Sequence, residues 1–96
     1  MTDKYLIVIE KSGTGFSTYS PDVLGCVATG RTFNQTIGNM KSALAFPLRG
    51  LIEDGEEIPR PRGVDSYLDA ERDSGGEEYF IAYIAAKDVE PERVPA

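Results

Sequence analysis

The chain opens on an apolar run, Tyr5, Leu6, Ile7, Val8 and Ile9, dense in β-branched side chains, and the stretch Lys11 to Gly15 behind it has turn chemistry. A strand and a hairpin loop are predicted there. Phe16 to Ser20 alternates aromatic with hydroxyl side chains, which suits a second strand with Phe16 and Thr18 on one face and Ser17 and Tyr19 on the other. Pro21 and Asp22 break it. Leu24 to Thr29 reads as a third strand closed by Gly30, and the three strands are expected to form an antiparallel meander.

At Gly30 the period changes from two to between three and four. Thr32 is a good N-cap with Gln35 three residues on, and Phe33, Ile37, Met40, Leu44, Leu48 and Leu51 follow along one helical face. Gly38 and Gly50 weaken this amphipathic helix by about 1 kcal/mol each relative to alanine. Pro47 removes a backbone donor from its interior, so a kink or break is expected near that residue. Gly55 is a natural C-terminal stop after Asp54, and Ile58 to Gly63, with prolines at 59 and 61, is expected to be extended.

Val64 to Arg72 suits a short helix or an irregular segment, and Asp73 to Gly76 a turn. Tyr79 to Ala86 is the strongest late strand, with Tyr79, Ile81 and Tyr83 on one face and Phe80, Ala82 and Ile84 on the other. The order is therefore β-β-β-α-β. It predicts a two-layer α+β fold: a three-stranded antiparallel meander, one main helix and a final strand, in one domain over residues 1–86, with a flexible, acidic, proline-containing tail at 87–96. One helix covers one sheet face. The first and last strands are apolar on both faces, so the second face needs a cover: the Val64 to Arg72 segment, a second copy of the chain, or a different protein. The same two-sided apolarity leads to the expectation that the free chain is a homodimer or a higher even oligomer.

Composition narrows the chemistry. Ninety-six residues, 41% hydrophobic and 27% charged, suit one globular domain, and no window approaches the roughly 18 continuous apolar residues of a membrane span. The amino-terminal apolar run is too short for a secretory signal and lacks a cleavage site, so a cytoplasmic location is expected. There is no histidine, so metal sites with histidine ligands are excluded and the single cysteine, Cys26, has no imidazole base to activate it; Cys26 is read as core packing. Asp22, Glu53, Asp54 and Glu56 are carboxylates able in principle to hold Mg²⁺, yet 53–57 is a charge run at a helix end, the usual place for a solvated face. The Gly13-Thr14-Gly15 turn lacks the spacing and the lysine of a phosphate loop. No catalytic residue, metal site or cofactor is assigned, and the chain is not expected to be an enzyme.

The net charge of −6 is unevenly placed. Residues 31–50 carry three bases, Arg31, Lys41 and Arg49, and no acid, a weak nucleic-acid signal without aromatic interleaving. Residues 51–96 carry thirteen acids against five bases, a field that repels phosphate backbones and attracts basic proteins.

The stretch Tyr19-Ser20-Pro21-Asp22-Val23-Leu24-Gly25-Cys26-Val27-Ala28-Thr29-Gly30-Arg31-Thr32 resembles the signature of HicB-like antitoxin domains, with its Pro-Asp, glycine turn, short strand and entry into a helix. The segment from Ala45 to Pro59, closing on Asp54-Gly55-Glu56-Glu57-Ile58-Pro59, resembles the same family. The likeness runs from about Tyr5 to Pro61 and returns at the last strand. It departs at Arg31, where the family commonly has an acid, and at Pro47.

This resemblance implies a degenerate ribonuclease-H-like fold without catalytic power, whose role is to bind and neutralise HicA, a small basic toxin that cleaves messenger RNA. An orphan domain of the same fold, binding a small ligand or a regulatory partner, is the alternative. Ten residues follow Ala86, too few for an appended helix-turn-helix or ribbon-helix-helix, so direct DNA binding by this chain alone is not expected. Since a toxin that binds RNA is basic, the expected partner-binding residues are the acids Glu53, Glu56, Glu57, Glu77 and Glu78 with the apolar anchors Tyr79, Ile81 and Tyr83.

Overall fold

A computed structural model describes residues 3–89. The apolar amino-terminal run forms β1, Lys4–Ser12, which turns through Gly13 and Thr14 into β2, Gly15–Tyr19; Gly13 takes a φ of +57°, a conformation that costs a residue without Cβ little. The third strand, β3, spans Val27–Gly30, shorter than the expected Leu24 to Thr29. Residues 23–26 instead form a turn at Gly25, φ +84°, which closes on the bond from the Cys26 amide to the Val23 carbonyl.

The main helix, α1, spans Phe33–Glu53. Thr32 caps it: its Oγ1 accepts from the Gln35 amide at 3.1 Å, and the Gln35 side chain returns to the Arg31 amide at 2.9 Å, so the reciprocal capping read from the spacing is present one residue earlier on its return arm. At the other end Gly55, φ +71°, receives the chain, with the Gly55 amide bonded to the Ile52 carbonyl and the Glu56 amide to the Leu51 carbonyl. That is the Schellman pattern, which satisfies two orphan carbonyls. The helix runs through Pro47 without a break.

A second helix, α2, spans Val64–Asp73, followed by β4, Phe80–Ala85, and one helical turn, α3, Ala86–Val89. Within the expected tail, α3 buries Val89 against the core; residues 90–96 lie outside the described residues. The four strands form one antiparallel sheet in the order β3-β2-β1-β4. The meander is observed, and the last strand joins the free side of the first, with Leu6 opposite Tyr83 and Val8 opposite Ile81.

The two faces divide as the alternation requires. Tyr5, Ile7 and Ile9 of β1 and Ile84 of β4 pack under Met40, Leu44 and Leu48 of α1, with Val23, Cys26 and Ile58 closing the margins. Burying each of these aliphatic side chains contributes about 1.5–3 kcal/mol. At one end Phe33 stands edge-to-face between Phe16 and Phe80, 5.4 Å from each, and so ties the start of α1 to two strands. On the opposite face Leu6 and Val8 pack on Ala70 of α2, with Tyr19, Tyr79 and Ile81 around them. Of the three covers left open by the sequence, the Val64 to Arg72 segment therefore supplies part, adding a helix on the second face to the two-layer arrangement.

Candidate functional site

The motifs that carry the family resemblance build this second face. Strand β2 ends at Tyr19, opposite Val8, so Leu6 extends beyond it with its amide and carbonyl both facing the missing strand. Ser20 and Asp22 take over that ladder position with side chains. The Ser20 hydroxyl donates to the Leu6 carbonyl at 2.8 Å, and Asp22 Oδ2 accepts the Leu6 amide at 2.9 Å. The Ser20 hydroxyl also accepts the Asp22 amide at 3.2 Å.

The same carboxylate fixes a distant segment. Asp22 Oδ1 accepts the Arg62 amide at 3.1 Å, the Arg62 guanidinium lies 3.4 Å away, and that guanidinium also donates to the Pro21 carbonyl at 2.8 Å. From there it reaches Asp69 Oδ2 at 2.8 Å on α2, and Arg72 closes on Asp69 from within the helix at 2.6 Å. Asp69 is held below its ordinary pKa of 3.8, first by the hydrogen bond from Arg62. Ile58 enters the core, and the Tyr5 hydroxyl donates to the Pro59 carbonyl at 2.7 Å. Residues 56–63 are thus tied down between the helices, and α2 is laid across β1. These motif residues are structural; their chemistry is backbone satisfaction and ion pairing.

Across the second face α2 has two flanks. Tyr19 on β2 lies beside Asp73, and its hydroxyl is pushed above its ordinary pKa by burial first and then by Asp73 and Glu10. On the other flank Tyr79 lies beside Tyr67 with Glu71 nearby, and burial again is the first cause of its raised pKa. Beyond Tyr79 runs β4, where Ile81 is half-buried and Tyr83 is 54% exposed. Val64, Tyr67 and Leu68 of α2 are exposed as well. This flank is an apolar surface on the face of Leu6 and Val8 with Glu71 beside Tyr79, whereas Glu77 and Glu78 line a cleft with Glu10, Lys11, Phe16 and Phe80 at the start of β4.

The structure brings together only part of the expected partner-binding set. Glu77, Glu78, Tyr79, Ile81 and Tyr83 are consecutive on the approach to β4 and along it. Glu53, Glu56 and Glu57 lie at and beyond the carboxyl end of α1, whose amino end contacts Phe80. A 21-residue helix is about 32 Å long, so the two acidic groups sit at opposite ends of the molecule. Sequence reading missed Val64, Tyr67 and Leu68 because α2 is only ten residues long and polar on average, with few apolar side chains to mark a face. The arithmetic that one helix covers one sheet face was the available signal.

Among the described residues no three carboxylate or thiol groups are gathered as metal ligands, and no helix is long and apolar enough to cross a membrane. Cys26 is buried, its Sγ 3.6 Å from the Ala43 carbonyl, and burial raises its thiol pKa.

The fold has close counterparts among solved structures. A chain of the HicA3 and HicB3 toxin–antitoxin complex superimposes with a TM-score of 0.66 and 31% identity, over 83% of this chain and 93% of that one. The antitoxin HicB3 matches with a TM-score of 0.73 and 29% identity, over 97% of this chain and 70% of that one. The N-terminal domain of the Burkholderia pseudomallei antitoxin HicB matches with a TM-score of 0.71 and 25% identity, over 85% and 95%. In sequence, an uncharacterized 14.9 kDa protein from the rep-hol intergenic region of Haemophilus phage HP1 (strain HP1c1) is 38% identical over 64 residues, 67% of this chain and 48% of that protein. The chain thus spans about half the length of that relative. The family model of the HicB-like antitoxin of bacterial toxin–antitoxin systems matches residues 5–94, and with the sheet order and the solved counterparts in agreement, the chain belongs to the HicB-like antitoxin family.

Proposed function

We propose that this chain neutralises a HicA-type, messenger-RNA-cleaving toxin in the cytoplasm by direct, non-catalytic binding. The observation that carries this reading is the 31% identity and 0.66 TM-score to a chain of a toxin–antitoxin complex over nearly the whole of that chain. The proposed docking surface is the β4 flank of the second face. Ile81, Tyr83 and Tyr67 supply apolar area, Tyr79 supports them, Glu71 lies beside Tyr79, and Glu77 and Glu78 in the cleft at the start of β4 add negative charge for a basic partner. Glu53, Glu56 and Glu57, at the far end, contribute to the long-range field that steers encounter.

The test is co-expression with a HicA-type toxin encoded beside this chain. Growth rescue by the wild type, a purified complex, and loss of both on changing Tyr83 and Tyr67 together to lysine are the expected results. Absence of both rescue and complex for the wild type refutes the antitoxin reading. Rescue and complex formation that survive the double change refute only the proposed surface.

A further inference from the structure

Helix α2 inverts the usual arrangement of a helix on a sheet. The side chains it buries are only Ser66 and Ala70, while Val64, Tyr67 and Leu68, spaced as one helical row, face outward at 69%, 40% and 52% exposure. In α1 the buried side is Met40, Leu44 and Leu48. Apolar burial stabilises in proportion to the area removed from water, so a methyl and a hydroxymethyl hold α2 far less firmly than those three side chains hold α1. The Ser66 hydroxyl has no hydrogen-bond partner among the described residues, and a buried hydroxyl without one opposes the docking.

An ionic catch holds α2 down, and it has a fixed half and a moving half. Arg62 is the fixed half: its amide is bonded to the buried Asp22 carboxylate and its guanidinium to the Pro21 carbonyl, on the chain that leaves β2. Asp69 is the moving half, closing on that guanidinium from α2 at 2.8 Å, and Arg72 travels with it on the same helix. The chain can pivot on both sides of α2. Gly63, directly after Arg62, has a φ of +66° and starts the helix without a side-chain cap, and Gly75 and Gly76, directly after the C-cap Ser74, have φ of +60° and +88°. Without a Cβ, these positions change direction at little steric cost.

We propose that α2 is a hinged cover: when Asp69 leaves Arg62 it lifts off β1 as a unit, pivoting at Gly63 and at Gly75 and Gly76, while the sheet and α1 stay folded. Lifting exchanges one apolar surface for another. Closed, the second face shows Val64, Tyr67 and Leu68; open, it shows Leu6 and Val8 of β1, which the closed form buries against Ala70. The catch thus controls which surface a partner of this face meets. The inference does not rest on the toxin-neutralising reading, because every group in it belongs to the free chain.

The test uses the full chain alone. Native-state hydrogen exchange should give the bonded α2 amides, from Ser66 to Ser74, one shared protection factor, at least about tenfold below that of the α1 amides from Met40 to Leu48. The Arg62 amide, held by Asp22 on the fixed side of the pivot, should keep the higher value. Amides of α2 that exchange only with those of α1 overturn the cover. Values that fall stepwise from the helix ends show fraying and overturn lifting as a unit, and an Arg62 amide that exchanges with α2 overturns the pivot at Gly63. Arg62→Met removes the guanidinium and keeps the backbone bond to Asp22, so α2 should exchange about threefold faster or more with α1 unchanged. Unchanged exchange of α2 in that variant overturns the catch. Ser66→Ala removes the unpartnered hydroxyl and should slow α2 exchange; faster exchange would show that the hydroxyl holds the helix down, against the proposal. A second readout places a thiol beneath the cover. In a Cys26→Ser background, Ala70→Cys should react with a maleimide at least about tenfold faster than the same variant unfolds globally. Labelling at the global unfolding rate overturns the cover.

Discussion

The Sγ of Cys26 lies 3.6 Å from the carbonyl oxygen of Ala43, the acceptor left without its helical donor by Pro47 four residues on. A proline in a helix interior forfeits that bond. The thiol of the β2–β3 turn faces the vacated carbonyl, so the residue read as simple core packing also compensates the residue read as a helix breaker.

A double-mutant cycle tests this coupling. Cys26→Ala alone should cost about 1–2 kcal/mol, from a lost thiol contact and an under-satisfied, partly buried carbonyl. Pro47→Ala restores the helical amide, so the cysteine change should cost less in that background, with an interaction energy of about 0.5 kcal/mol or more by urea unfolding. Strict additivity would show that the thiol contact contributes nothing to the helix.

Gly30 is fixed by close approach. A Cβ there would stand 2.6 Å from the Thr36 amide nitrogen and 2.8 Å from its Cα, both backbone atoms that cannot swing aside. Gly30→Ala should therefore destabilise the chain by about 1–3 kcal/mol as α1 is forced away from β3. Thermal unfolding should show a midpoint lower by at least about 4 °C.

Asp22 serves two backbone amides with two oxygens. Asp22→Ala leaves the amides of Leu6 and Arg62 without their acceptor and should cost about 3 kcal/mol or more. Asp22→Asn retains one acceptor oxygen but points an NH₂ group at the second amide, so an intermediate loss is expected. Hydrogen exchange at Leu6 and Arg62 reads both effects, and equal stability of the aspartate and asparagine forms would remove the two-amide role.

The pairing of Asp69 gives α2 a pH dependence. Its carboxyl is held below 3.8, first by the hydrogen bond from Arg62. A depressed folded pKa means that the ion pair's contribution is fully present above the unfolded value and is lost as pH falls through the lower folded one. The contact of α2 with the second face should therefore loosen in acid below about pH 4. The chain has no tryptophan, so tyrosine emission from Tyr67 and Tyr79 reports the change. In Asp69→Asn this acid step should be absent.

Charge placement separates steering from anchoring. At 0.05 M salt the screening length is roughly 14 Å, shorter than the separation of the two acidic groups along α1. Reversing Glu77 and Glu78 should therefore slow association with a HicA-type toxin more than reversing Glu53, Glu56 and Glu57, while Tyr83→Ala acts mainly on dissociation. Equal slowing by the two acidic sets in stopped-flow binding would contradict docking at the β4 flank.

The sequence by itself determined the elements that answer to local rules. Short continuous apolar runs at Tyr5 to Ile9 and Phe80 to Ile84, the Thr32 and Gln35 cap, the stripe from Phe33 to Leu51 and the Gly55 stop each encode their structure within a few residues. Their order fixes the α+β class, and the turn motifs point to the antitoxin family. Tertiary structure decided the rest. Leu24 to Cys26 became a turn because Cys26 is drawn under α1 before β3 can begin. Helix α2 owes its position to Asp22 and Arg62, forty residues apart, and a bond at that separation leaves no mark on local pattern. The acidic residues read as one field were divided between two ends by the length of α1. The outward edge of β4 was likewise hidden in the sequence, since the composition of a strand does not say which neighbour will claim its backbone.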